Sequence, residues 1–220
     1  MNSSLKNTAR MLGAGLRALL VLTVICGAVY PLAVTGVAQT LFHDKANGSE
    51  ITSDGRIAGS ALIGQRYDLP LKEGEEAAAP DLKWFQPRPS NGLGSNGVNT
   101  QYALILSGAT NRSGDNAELI QWVQDAKAAV IKDNPTPGHP VAPSEVPADA
   151  VTSSGSGLDP HISPAYAKLQ VNRVAARNHL DAGQVAELVA AHTDDRVLGF
   201  IGEPRVNVLQ LNLALKALTS

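Results

Sequence analysis

Hydrophobic residues run along this chain in two different ways. Near the start they are continuous: ALLVLTVICGAVYPLAVTGV, residues 18 to 37, contains no Asp, Glu, Lys or Arg. A helix of about 20 residues rises ~30 Å, the thickness of a hydrocarbon core. The pattern predicts one transmembrane helix over 18–38, kinked at Pro31, which spanning helices tolerate. A cleaved secretory signal is the alternative, with Gly36 and Ala38 as small residues at a cleavage site. Such signals carry a shorter apolar run of about 7–15 residues, which favours an uncleaved anchor.

Beyond residue 38 the hydrophobic residues become periodic. Leu119, Ile120, Val123, Ala126 and Val130 fall on one stripe, Asp115 or Asn116 stands at the cap position, and Asn134-Pro135 ends the helix. Ser163-Pro164 is a cap followed by proline at the first helical position. That helix extends to about Asn178, with Tyr166, Leu169 and Val174 near one face and Arg173 and Arg177 sharing a side. Asp181 and Gln184 have capping-box spacing ahead of Val185, Leu188, Val189 and His192. Val208, Leu211, Leu215 and Leu218 predict a last helix that Asn207 could cap. Alternation at Leu209, Leu211, Leu213 and Leu215 also permits a strand, but continuation through Lys216 and Leu218 favours helix. IAGSALIGQ, residues 57–65, reads as a short strand, and residues 67–101 as a loop-rich insertion. The expected architecture is a basic head (1–17), a spanning helix (18–38) and a single mixed α/β domain (39–220).

Charge orients this arrangement. Lys6, Arg10 and Arg17 are the charged residues before the first acid, Asp44, and all 20 acidic residues follow. Basic residues stay on the cytoplasmic side, so the main domain is expected to be extracytoplasmic on a single-pass chain of the cell membrane. Its acidic balance argues against nucleic acid as a partner. One cysteine, Cys26, excludes an intrachain disulfide and a cysteine zinc cluster. Bulky Ile25 before it does not suit lipid attachment, and it reads as a small apolar residue of the helix.

Candidate chemistry is sparse. Ser156, His161 and Asp159 are a serine hydrolase's residue types, but neighbours on one short loop seldom form a triad, and SSGSG is not a nucleophile elbow. No P-loop string exists, although Gly-Ser backbone before a helix can meet an anion. His43, His139, His161, His179 and His192 are scattered without a metal-ligand spacing, so no metal is expected. Asp194-Asp195 reads as a solvated turn. Arg88, held between prolines, can grip a carboxylate or a partner loop, or form an internal ion pair. Trp84 and Phe85 pack on the domain body, or else touch headgroups or a partner. These residues predict an anchored domain with an accessory or binding role; a solute-binding or sensor domain is the alternative, and an enzyme using Ser156 or His161 ranks below it.

The order of motifs adds to this. YPLAVTGVAQ (30–39), GSALIGQ (59–65), FQPRPS (85–90), SGATN (107–111), VTSSGSGLDPHISPAYAKLQVNRVAARNHL (151–180) and RVNVLQLNLAL (205–215) follow one another. Together they resemble the C subunit family of Kdp-type potassium-transporting P-type ATPases over nearly the whole chain. The resemblance implies a non-catalytic subunit needed for assembly, working with a pore-forming A subunit, a P-type B subunit and a small F subunit in the lipid bilayer. It implies that ATP and potassium are handled by the complex, with no cofactor held firmly by this chain. The family is described as a catalytic chaperone that raises the ATP affinity of the B subunit. Direct nucleotide contact, if made, falls to Ser154, Gly155, Ser156, Gly157 and Leu158; an outside domain favours coupling through the membrane or a lid over the potassium entrance. Gln65, Arg88, Asp159, Arg173, Arg177 and Asn212 are the interface candidates. NGLGSNGVNTQYAL (91–104) looks inserted relative to the family, SGATNRSGDN departs from its more usual glycine-rich form, and Lys216 stands where an acid is common.

Overall fold

The computed structural model describes residues 2–74, 78–90 and 107–219. Of the expected insertion, 75–77 and 91–101 lie outside the described residues, as does the whole of NGLGSNGVNTQYAL. The chain forms two compact units, Met1–Ser49 and Glu50–Ser220.

The first unit is helical: α1 (Asn2–Val24), a π-turn over Ile25–Val29, α2 (Tyr30–Leu41) and the short α3 (His43–Ala46). The predicted head is therefore part of the helix. Ser4–Leu41 is long and apolar enough to cross a membrane, and among the described residues no other helix is. Pro31 has no N–H to give the carbonyl one turn back, and its ring crowds that turn. The helix answers by widening just upstream, where the Tyr30 N–H reaches the Ile25 carbonyl. At the polar end Gln39 and Asn47 exchange side-chain hydrogen bonds of 3.2 and 3.1 Å. Asn47 Nδ2 also donates to the His43 carbonyl at 2.8 Å, closing the turn after α2.

The second unit opens with an antiparallel hairpin, β1 (Glu50–Ser53) and β2 (Arg56–Ser60). Asp54 and Gly55, both at positive φ (52° and 72°), make its turn; this is the Asp-Gly chemistry that two-residue hairpins require. The predicted strand over 57–65 is thus cut short at Ser60. The chain continues through α4 (Ala117–Asp133), a 3₁₀ turn at Ala148–Ala150, β3 (His161–Ile162), α5 (Pro164–Asn178), α6 (Ala182–Ala191), β4 (Thr193–Asp194), β5 (Arg205–Asn207) and α7 (Val208–Thr219). The strands β3, β5 and β4 form a small antiparallel sheet in that order.

In this unit α4, α5, α6 and α7 each start where a cap stands. Asn116 Oδ1 accepts from the Leu119 N–H at 3.0 Å, and Ser163 Oγ from the Tyr166 N–H at 3.0 Å. Asp181 and Gln184 complete a capping box, and Asn207 Oδ1 accepts from the Gln210 N–H at 3.1 Å. With aromatics at 4% of the sequence, the core is built mainly from small aliphatic side chains. Ala167, Val171, Val174 and Ala175 of α5 meet Val185 and Val189 of α6, Val206 of β5, and Leu211 and Leu215 of α7, with Phe85, Tyr67 and Tyr166 as the buried aromatics. Leu218 and Ile120, read from the sequence as stripe members, are exposed. His192 caps α6, its Nδ1 lying 2.9 Å from the Leu188 carbonyl.

Candidate functional site: a clasp around residues 85 to 90

FQPRPS carries two prolines and runs without regular secondary structure, so its backbone groups need partners from elsewhere. Two amide side chains supply them. Asn212 of α7 accepts the Phe85 N–H at 2.9 Å and donates to the Phe85 carbonyl at 2.9 Å. Gln170 of α5 does the same for Gln86, at 2.7 and 3.1 Å. Each amide thus acts as a neighbouring strand would. Phe85 itself is fully buried. Gln86 Nε2 turns back to the Tyr67 and Asp81 carbonyls at 3.1 and 2.9 Å.

Arg173 completes this grip from within. Its guanidinium donates to the Leu82 carbonyl, to the Trp84 carbonyl at 3.0 Å, to Asn134 Oδ1 at 2.8 Å and to Gln170 Oε1 at 2.6 Å. Burial pulls its pKa down to about 10, so at neutral pH it keeps its proton and all its donors. Arg177, predicted to share its side, is exposed; the 82–84 loop bonds to Arg173 and, in the next turn, to Asn178, whose Nδ2 donates to the Lys83 carbonyl at 2.7 Å.

Toward the other end of the segment, Arg88 reaches the Gly-Ser loop. Its Nη1 pairs with Asp159 Oδ2 at 3.1 Å, while Nε and Nη2 donate to the Thr152 and Ser153 carbonyls at 3.4 and 3.3 Å. Ser90 Oγ donates to the Gly157 carbonyl. The Gly108 N–H reaches the Ser156 carbonyl at 2.8 Å, and the Gly64 N–H the Leu158 carbonyl at 2.8 Å. Gly157 has φ +69°, and a Cβ there would stand 3.0 Å from the Gly108 carbonyl oxygen. Both the turn and the close approach therefore call for glycine. Gln65 sits at the edge, donating to the Ala58 carbonyl at 2.8 Å.

Ser154, Ser156, Asp159 and His161 are close but do not form a relay. The Ser156 hydroxyl accepts the Leu158 N–H at 3.1 Å, the Ser154 hydroxyl accepts the Asp159 N–H at 3.4 Å, and the two hydroxyls lie 3.4 Å apart. The His161 ring faces Asp159 Oδ1 at 3.2 Å, and the His161 N–H binds the same oxygen at 2.9 Å. Among the described residues no hydrogen bond joins that ring to either serine. Nor, among the described residues, do three or more His, Cys, Asp or Glu side chains gather in a metal-binding group. Beside the clasp lies a cleft of about 360 Å³ whose lining includes Arg66, Asp68, Arg88, Tyr166, Gln170 and Arg173. Arg66 and Asp68 pair across 3.0 Å, and burial holds the Tyr166 hydroxyl protonated, its pKa up to about 12.

Asp159 gives the clasp a pH dependence. Burial alone would raise its pKa, but hydrogen bonds from His161 and the charges of His161 and Arg88 outweigh burial and hold the carboxyl below its ordinary value. A carboxylate depressed in the folded state stabilises fully above its unfolded value of about 3.9 and loses that contribution as pH falls through the folded value. The melting temperature of the wild-type chain should therefore fall more steeply below about pH 4 than that of Asp159→Asn. Parallel curves would mean that the ion pair does not couple to folding.

The sequence pointed to Arg88, Asp159, Gln65, Asn212, Arg173 and 154–158; the structure brings Arg88, Asp159, Asn212, Arg173 and 154–158 together around residues 82–90, while Gln65 bonds to the Ala58 carbonyl of β2 and Arg177 lies outside. Sequence reasoning missed Gln170, Gln86, Ser90 and Asn134. Gln170 had a signal: a polar residue one turn after Tyr166, on the helix face otherwise filled by apolar side chains.

Known proteins match this sequence along its length. The family described as KdpC, K+-transporting ATPase, c chain, matches residues 12–217. The potassium-transporting ATPase KdpC subunits of Streptomyces avermitilis and Streptomyces coelicolor are each 71% identical over 220 residues, covering 100% of this chain and 99% and 98% of theirs. That of Kineococcus radiotolerans is 44% identical over 217 residues, with 99% and 98% covered. On a match that runs from the apolar helix through α7, the chain belongs to the KdpC family.

Proposed function

We propose that the chain is a single-span accessory subunit of an ATP-driven potassium import pump, with the N-terminus cytoplasmic and the Glu50–Ser220 unit extracytoplasmic. Catalysis rests with other subunits: a P-type ATPase that hydrolyses ATP, a pore-forming subunit that selects potassium, and a small single-span partner. The contribution of this chain is to hold the assembled state, and it changes ATP affinity through the membrane rather than by touching nucleotide.

The observation that carries this reading is the internal engagement of the 154–159 loop. Its carbonyls accept from Gly108, Ser90 and Gly64, and its Asp159 carboxylate pairs with Arg88, as a scaffold's groups do. A nucleotide would need donors aimed outward at phosphate, whereas the Ser154 and Ser156 hydroxyls here serve the loop's own N–H groups. The lone basic residues before Asp44 support the orientation, and the uninterrupted apolar helix supports the membrane setting.

The test is capture of the full-length chain in mild detergent from its own membranes, grown at low potassium. Recovery of a P-type ATPase and a multispan partner is expected, with potassium-stimulated ATP hydrolysis that disappears when this chain is stripped away. ATP turnover by the partner-free chain would overturn the non-catalytic assignment. Recovery of the chain alone would favour a solute-binding domain.

A further inference from the structure

The ribbon between β4 and β5 carries a feature the clasp does not use. Val197 and Ile201 exchange both backbone hydrogen bonds at 2.9 Å, and the Phe200 N–H closes on the Val197 carbonyl at 3.3 Å. Leu198 and Gly199 turn the chain with φ +55° and +81°. Below the turn, Arg196 and Glu203 pair at 2.6 Å, and Arg205 and Asp194 at 3.6 Å. This brace holds out four large apolar side chains: Val197 is 51% exposed, Leu198 79%, Phe200 72% and Ile201 50%.

Two observations make this tip more than a loop. Leucine in the left-handed region costs about 1 kcal/mol, and Asn, Asp or Gly would sit there more easily. The Leu198 side chain is 79% exposed, so packing returns little of that cost. A local rule broken with little return inside the fold marks a contact outside it.

Charge selects the occupant. Asp194, Asp195 and Glu203 outnumber Arg196 and Arg205 on the ribbon, and acidic residues outnumber basic ones over 50–220. An anionic bilayer surface repels such a rim, and a second copy would bring like charge to like. A different protein with an apolar socket and a basic rim fits. We propose that the Leu198–Phe200 tip plugs into such a socket on another subunit of the pump. This inference rests on the assembly reading above.

The experiment uses the full pump, solubilised in mild detergent and captured through this chain, carrying Leu198→Asn or Phe200→Ser. Leu198→Asn suits the turn and should leave the melting temperature of the purified chain unchanged or higher. Both variants should lower the recovered ATPase and pore subunits, identified by mass, about tenfold or more after dilution. Recovery equal to wild type overturns the plug, as does a lowered melting temperature for Leu198→Asn, which would mean the side chain packs within the fold. Flotation with phosphatidylcholine–phosphatidylglycerol vesicles, lost in the variants while subunit recovery holds, overturns it in favour of the bilayer. Self-association lost at unchanged subunit recovery overturns it in favour of a second copy. If the wild-type chain captures no such subunits, the assembly reading fails along with the plug; if it does and the variants match it, the plug alone fails.

Discussion

Asn212→Leu is expected to lower the melting temperature of the Glu50–Ser220 unit by about 6–12 °C. The two side chains are close in size, so the change leaves little cavity and isolates the hydrogen bonds. Both bonds to Phe85 disappear together, at a residue that is fully buried. An N–H and a carbonyl would then be left without partners where water does not reach, at a cost of about 3 kcal/mol for the two. For a unit of this size that corresponds to the stated shift. Thermal unfolding of the detergent-solubilised full-length chain reads it directly. A shift under about 2 °C would mean that the segment rearranges to satisfy itself, and that the amide is not what fixes residues 85 and 86.

Arg173→Met should cost a similar amount, about 3 kcal/mol, through two opposing effects. Removing the guanidinium relieves the burial that lowers its pKa. It also strips donors from the Leu82 and Trp84 carbonyls and from Asn134 and Gln170. No carboxylate is among those acceptors, so the relief is that of a single ion, while the loss is four bonds at once. The loss wins because the Asn134 and Gln170 amide oxygens stay buried after the charge has gone. Arg177→Met, on the same helix but exposed, should change stability by no more than about 0.5 kcal/mol. Equal effects of the two substitutions would remove the distinction between them.

The contrast between those arginines shows where the sequence is readable. Helix starts are local, and Asn116, Ser163, Asp181 and Asn207 all cap where their spacing indicates. The α1–α2 span is equally legible because twenty uncharged residues need no tertiary context. The β1–β2 hairpin is missed: the flanking EITS and RIAGS are not apolar runs, and the glycine-edged stretch 57–65 reads as a strand on its own, although Asp54-Gly55 carries a turn signal. What spacing does not reveal is which side chains of α5 a distant loop will meet. Arg173 and Arg177 differ only by one turn, and the 82–84 segment decides between them from about ninety residues away. The Asn212 bracket has the same character: an asparagine amid leucines signals a buried amide, but its partner lies 127 positions earlier. The contact of the Gly-Ser loop with Arg88 and Ser90 was likewise foreshadowed only as an internal ion pair at Arg88.

That separation bears on how the chain is made. Residues 85 and 86 leave the ribosome long before the helices that hold them. At about 5–20 residues per second, Phe85 waits roughly 6–25 s for Asn212. During that interval its ring and the carbonyls of the 82–86 segment lack their partners, because Gln170 and Arg173 are also still to come. The nascent unit is therefore open along one side until α7 has been synthesised, and it is then that a chaperone or a protease has something to recognise.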